Sequence, residues 1–312
     1  MRYRRYIFLA LVFITVSCGK NYKKQLEEFT VSRDTFYQKG EYAQAIEAGE
    51  HAVEAAQKAF GKQAAQVADA LSELAVLYAE QGMSKQAEQS FIEALHIQET
   101  ELGAEHQSVT DLLNNLALLY MEQHRLTDAE IALYRAFTIK EKILGQHHPE
   151  IAILLSNLAG LSQQQGRHAQ AGTYLARALS IKERELGPDH IGLLLYLNNL
   201  GVLHFSQQKY DEAALFFHRA LRIVEQQSEP DYENLMTALN NVVLVYEKQE
   251  RYAAALPVYQ KILLLQERVL GPNHPEVALV LRYIAESYRT LGQEALAVQA
   301  EEQANAIEAK QP

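Results

Sequence analysis

The sequence predicts an all-α solenoid of about seven antiparallel helix pairs. Three observations carry this. Ala45, Ala87, Ala129, Ala171, Ala213, Ala255 and Ala297 recur at a spacing of 42 residues. A second column runs Ala52, Ala94, Ala136, Ala178 and Ala220, breaks to Ile262 and returns at Ala304. A third runs Gly61, Gly103, Gly145 and Gly187, is interrupted by Glu229 and returns at Gly271. A phase held over seven units is the mark of a repeat architecture.

Within one unit the apolar spacing is helical. In LLNNLALLY, Leu112, Leu113, Leu116, Leu119 and Tyr120 fall on one stripe. Leu126, Ala129, Ala132, Leu133, Ala136 and Phe137 form the stripe of the second half. Neither helix can bury its stripe alone, so pairs must stack. The alanine columns mark close helix contacts, where a larger side chain would overpack at a cost of roughly 1–3 kcal/mol. Each Leu-Gly ends a second helix, because glycine takes backbone conformations that a helix C-terminus needs. Pro149 or Pro275, followed by Glu150 or Glu276, opens a first helix, where proline loses no hydrogen bond and a carboxylate meets the helix dipole.

These residues resemble the tetratricopeptide repeat in its 42-residue, kinesin-light-chain-like form. The resemblance rests on Asn115-Leu116-Ala117, Gly166-Arg167-His168, Asp128-Ala129, Arg177-Ala178-Leu179 and Leu270-Gly271-Pro272-Asn273-His274-Pro275. It covers about residues 25–310 and implies a right-handed superhelix with first helices lining a concave groove. No heptad segment precedes the repeats, so the kinesin-light-chain role is not carried over.

In chain order, residues 1–17 read as a signal peptide. Arg2, Arg4 and Arg5 precede an apolar run from Tyr6 to Val16, short of the roughly 20 residues a spanning helix needs. Cys18, the only cysteine, follows Val16 and Ser17 as in a bacterial lipobox, with Thr15 where an aliphatic residue is usual. The resemblance implies a lipid on Cys18. An ordinary cleaved signal and an uncleaved anchor remain the alternatives. Residues 18–24 then form a lipid-anchored linker. The expected repeats are about 25–61, 62–103, 104–145, 146–187, 188–229, 230–271 and 272–310. The first has a polar opening helix, with Ser32 and Arg33 where Leu74 and Ala75 stand one repeat on. The fifth ends in Gln226-Gln227-Ser228-Glu229, which predicts an altered turn and a bend between two halves. The sixth carries Pro257 inside a helix, which predicts a kink. In the seventh, Glu301 and Asn305 make a polar C-terminal cap.

Formal net charge is −10, and removal of residues 1–17 takes away three arginines and no acid, leaving −13. A nucleic-acid partner, which requires a basic stripe, is excluded on that ground. With 48% hydrophobic residues and no second cysteine, the exported chain must stand on its apolar core. His106, His148, His190 and His274 occupy matching loops. Stacked repeats keep such positions at least ~8–10 Å apart, too far to share a zinc ion, so no metal site is expected. No nucleophile–base pattern or phosphate loop appears, and the reading is of a non-enzyme without cofactor or small-molecule substrate.

The candidate binding residues are asparagines. Asn114 and Asn115, Asn157, Asn198 and Asn199, and Asn240 and Asn241 recur at 42-residue spacing in first helices. Asparagine is a mediocre helix former, so a mid-helix ladder needs a cause. The family resemblance implies that Asn115, Asn157, Asn199 and Asn241 bond the backbone of a peptide in the groove. The alternative is that the amides bond the neighbouring helix and stiffen the stack. Tyr78 and Tyr120 are expected to pack within their repeats. Arg282 and Tyr283 fill the asparagine slots of the last repeat and change the groove there.

The joint expectation is a lipid-anchored scaffold of the cell envelope, exported and held at the periplasmic face of a bacterial outer membrane. It would bind an extended segment of a partner protein in the concave groove. The alternative is an accessory or regulatory subunit of an envelope enzyme complex, docking through the convex face. Self-association through repeat ends is a third.

Overall fold

The computed structural model describes the backbone of residues 3–310 and the side chains of residues 21–310. Fourteen α-helices alternate as first and second helices of seven repeats: α1 (Tyr3–Gln38) with α2 (Tyr42–Phe60), α3 (Ala65–Glu80) with α4 (Ser84–Leu102), α5 (Gln107–Glu122) with α6 (Leu126–Leu144), α7 (Ile151–Gln164) then α8 (His168–Leu186), α9 (Leu194–Ser206) with α10 (Tyr210–Glu225), α11 (Tyr232–Lys248) with α12 (Tyr252–Leu270), and α13 (Pro275–Thr290) with α14 (Glu294–Glu308). The chain divides into two compact units, Met1–Arg167 and His168–Pro312. The division falls after the fourth first helix, not at the altered turn near residue 229.

The period seen in the sequence is the period of burial. All seven residues of the first alanine column are 0% exposed. The second column, including Ile262, is buried throughout. Where a column departs from alanine, a neighbour compensates. Gly201 stands where Ala159 stands one repeat earlier, and a Cβ on it would lie 2.3 Å from the ring of Phe217.

Two turns recur along the chain. The first closes each first helix in a Schellman pattern: Arg125 N–H reaches Tyr120 O at 2.8 Å and His124 N–H reaches Met121 O at 3.1 Å. Its left-handed residue is Gly40, Gly82, Gly166 or Gly292, but His124, Gln208 and Glu250 take the same place with φ of 58°, 61° and 56°. The second turn closes α2, α4, α6, α8 and α12. Gly145 there has φ 83° and ψ 157°, an extended, glycine-only conformation rather than the left-handed helical one.

The departures are local. The polar opening of the first repeat is not solvated at Arg33. That residue is buried, its stem running beside Gly49, and its guanidinium pairs with Asp34 and Glu73. Residues 21–24 of the expected linker are helical, as part of α1. The side chain of Cys18 lies outside the described residues. At the fifth repeat α10 stops after 16 residues, where α6 and α12 run for 19. Gln226 ends it at φ −76° instead of a glycine turn. α12 continues through Pro257 as one helix.

Candidate functional site

In each first helix, residues spaced 3, 4 and 7 apart share one stripe. The asparagines lie on it, and the structure divides them by role. In the N-terminal unit, Asn157 Nδ2 on α7 donates to Asn114 Oδ1 on α5 at 2.6 Å. In the C-terminal unit, Asn241 Nδ2 on α11 donates to Asn198 Oδ1 on α9 at 3.4 Å. Each bond joins neighbouring first helices, so these four amides brace the stack. Asn115 and Asn199 are half-buried on the same stripe and make no side-chain hydrogen bond among the described residues. Asn240 is exposed and lines a cavity.

The stripe carries exposed apolar side chains in both units, Val76, Leu118 and Ile153 among them in the N-terminal one, but its charged residues differ. In the N-terminal unit it carries Asp69, Glu73 and Asp111 around a cavity of about 280 Å³. Two cations of the protein meet these acids. Arg33 reaches Glu73, and Lys140 Nζ lies 3.0 Å from both Asp111 and Glu150. Burial works against the charge of each cation, but its carboxylate partners outweigh burial and raise the pKa above the ordinary value. Burial also raises the Asp69 carboxyl, with Glu73 adding to it.

In the C-terminal unit exposed apolar side chains flank the amides on the stripe. Leu195, Val202, Leu244, Leu279 and Tyr283 are all exposed, Leu195 at 56% and Leu279 at 50%. A cavity of about 370 Å³ opens here, lined by Asn240, Leu244, Glu247, Tyr259, Gln266 and Glu276 among others. Tyr259 donates its hydroxyl to Glu247 and stacks on Tyr283 at 5.6 Å. Burial first, then that bond, pushes the Tyr259 phenol far above its usual range. Arg282 turns away to Glu308 and Asn305 of α14, at 2.6 Å and 3.1 Å. The last repeat therefore ends the asparagine pattern with an ion pair and a stacked ring.

The other sequence-selected side chains have structural duties. Tyr78 and Tyr120 are buried. Tyr78 donates to Glu50 at 2.6 Å, and burial together with this bond takes its pKa up to about 12. The histidine column caps helices. His106, His190 and His274 accept from backbone N–H groups at Ser108, Gly192 and Glu276, and His148 accepts from Glu150 N–H. In the sixth repeat Asp231 takes over, accepting from Asn234 N–H at 3.0 Å. Among the described residues no group of three or more His, Cys, Asp or Glu could hold a metal ion.

A tetratricopeptide-repeat description matches residues 34–100, 108–171, 150–226 and 234–307, well over half of the chain. The chain belongs to the tetratricopeptide-repeat family. No curated protein sequence matches it. Solved structures share the tetratricopeptide-repeat fold at low identity. The nearly identical repeats of a Podosopora anserina protein assigned as a kinesin light chain are 21% identical, with a TM-score of 0.57 over 66% of this chain and 98% of that one. BtubC of P. vanneervenii is also 21% identical, with a TM-score of 0.55 over 93% and 94%. The apo quorum sensor NprR of B. thuringiensis is 16% identical, with a TM-score of 0.58 over 98% and 85%.

The tetratricopeptide-repeat architecture makes this protein an interaction scaffold, and its first-helix faces bring free amides beside exposed apolar side chains. Among the described residues no helix is long and apolar enough to cross a membrane.

Proposed function

We propose that this tetratricopeptide-repeat protein is a lipid-anchored scaffold of the cell envelope that holds an extended segment of a partner protein along its first-helix stripe. The observation that carries this reading is the pair of half-buried amides, Asn115 and Asn199, whose donors and acceptors are unspent. An amide can donate and accept toward an extended backbone at once. The exposed Leu195, Val202 and Leu244 beside Asn199 supply apolar contact for alternate side chains. The basic start, short apolar run and Cys18 support export with lipid attachment, and Gly19 after the cysteine, rather than aspartate, resembles outer-membrane sorting to the periplasmic face. Stable anchoring by lipid alone takes two or more acyl chains.

Two measurements test it. Cys18→Ala is expected to release the protein from membranes and abolish incorporation of labelled fatty acid. Full retention without label would remove the anchor. Affinity capture from native membranes is expected to recover a partner with the wild type and lose it with Asn115→Ala/Asn199→Ala. Those changes leave the Asn114–Asn157 and Asn198–Asn241 braces intact, so the melting temperature should hold.

A second reading, docking of a folded envelope enzyme on the second-helix side, has one specific support. A cavity of about 530 Å³ in the C-terminal unit is lined by Gly172, Ala176 and Leu179 of α8, Leu203 and His204 of α9, and Phe216 of α10. His204 Nδ1 there is buried and unpartnered. Capture that survives the asparagine changes but fails with Ala176→Arg would favour this side.

A further inference from the structure

Repetition lets one part of the molecule show what another part lacks. Positions 98, 140 and 266 occupy the same place in the 42-residue period, each near the end of a second helix. All three side chains are buried. Each faces the residue ten positions on, at the start of the next first helix: Ser108, Glu150 and Glu276. Gln98 is satisfied at both ends. Its Nε2 donates to Asp69 at 3.0 Å and its Oε1 accepts from the Ser108 hydroxyl at 3.0 Å. Lys140 is satisfied by two carboxylates, Asp111 and Glu150.

Gln266 is not. It is 5% exposed, its Nε2 donates to Glu276 Oε2 at 3.2 Å, and its Oε1 has no partner. Turning the amide over would set Oε1 against a carboxylate that only accepts, so the acceptor is the end left over. A buried unmet acceptor is costly, because it has given up water without gaining a donor. Gln266 lines the cavity of about 370 Å³ described above. Glu247 and Glu276 line the same cavity. Thr237 stands where Asp69 and Asp111 stand in the earlier repeats. Among the described residues no lysine, arginine or histidine lines this cavity. Lys261 is held by Glu225 and Arg282 by Glu308.

We infer that the Gln266 cavity receives the basic side chain of a partner segment, lysine or arginine. The ammonium or guanidinium would donate to Gln266 Oε1 and sit between Glu247 and Glu276, as Lys140 sits between Asp111 of its own repeat and Glu150 of the next. The methylene stem would lie along Leu244, Leu279 and the ring of Tyr283, in the manner of long cationic side chains on apolar surface. The neighbouring Asn240 places this cavity on the proposed peptide stripe. The inference rests on the scaffold reading and adds the chemistry of one residue of the bound segment.

The test uses the full chain in detergent and two fluorescent peptides, Ala-Ala-Lys-Ala-Ala and its norleucine counterpart, which keeps the stem and drops the charge. By fluorescence anisotropy at pH 7 the lysine peptide is expected to bind about tenfold more tightly or better, as charge-assisted bonds in a half-enclosed site allow. Gln266→Lys fills the cavity with the protein's own ammonium and is expected to erase the preference. Glu276→Gln, at an exposed position, is expected to reduce it severalfold without disturbing the fold. Equal binding of the two peptides overturns the inference. So does a lysine preference that both variants leave unchanged. Equal binding that is lost in Asn115→Ala/Asn199→Ala sinks the cation site and leaves the peptide stripe standing. Absence of binding by either peptide overturns the cation site, and capture of a partner from membranes still decides the stripe separately.

Discussion

At the scale of residues, the two turn columns separate what glycine does by freedom from what it does by size. Gly145 has no atom within 4 Å of where a Cβ would sit, so its identity is a matter of backbone conformation alone. Gly145→Ala is expected to cost about 1–3 kcal/mol, read as a lower urea midpoint. The other column gives the reverse experiment. Gln208 holds φ 61° where Gly166 and Gly292 hold 73° and 72°. Gln208→Gly removes the left-handed penalty and is expected to raise stability by roughly 0.5–1 kcal/mol, or a melting shift of about 1–4 °C. Neutral or destabilising behaviour at 208 would mean that its side chain contributes more than its backbone strain costs. The need for glycine after Leu144 and Leu270 was legible in the sequence as a column. The strain at His124, Gln208 and Glu250 was not, because a missing glycine looks like drift until the backbone is seen to keep its angle.

Among elements, stacking of first helices explains why the asparagine pattern was legible and its meaning was not. The amides recur at 42, but the bonds run from 114 to 157 and from 198 to 241, an offset of 43. That extra residue is set by how one first helix is rotated against the next, which a one-dimensional period does not encode. Asn114, Asn157, Asn198 and Asn241 brace neighbouring first helices, while Asn115 and Asn199 make no side-chain hydrogen bond among the described residues. The histidines show the same limit. Four matching positions could be recognised in the sequence, but their role depends on Nδ1 turning back onto the amide two residues ahead. The first repeat shows how an end is finished by exchange of volume. Gly49 takes the place that Phe91 holds one repeat later, and the stem of Arg33 runs beside it. Paired acids then carry the charge of Arg33.

For the whole molecule, pH resolves two classes of titrating group. His204 and His218 are held below the ordinary histidine pKa, chiefly by burial, with Lys209 acting on the first and Arg251 on the second. The folded state keeps them neutral, so their stabilisation is full above about 6.5 and is lost as pH falls through the lowered folded values. Glu130 and Glu150 are held below the usual carboxylate range by hydrogen bonds from Arg167 and Lys140. Their contribution is full above about 4.5 and is lost as pH falls through the folded values. The apparent melting temperature is expected to fall in two stages on acidification. The first stage should shrink in His204→Gln/His218→Gln while the second remains. A single stage unaffected by those changes would place the histidines outside the balance.

By itself the sequence determined the fold class, the number of repeats and the residues at the tightest helix contacts. It could do so because a 42-residue period constrains every copy alike, and alanine recurs only where every copy meets the same close neighbour. It also showed where the pattern breaks, at 226–229, Arg282 and Tyr283. Only the tertiary structure decided which amides brace and which stay free. It also placed the division of the chain after Arg167, and it left Gln266 an unmet acceptor beside two acids while Lys140 completes the same place in another repeat. Those outcomes depend on the rotation and approach of neighbouring helices, where a shift of one residue or one ångström changes a hydrogen-bond partner without changing the period.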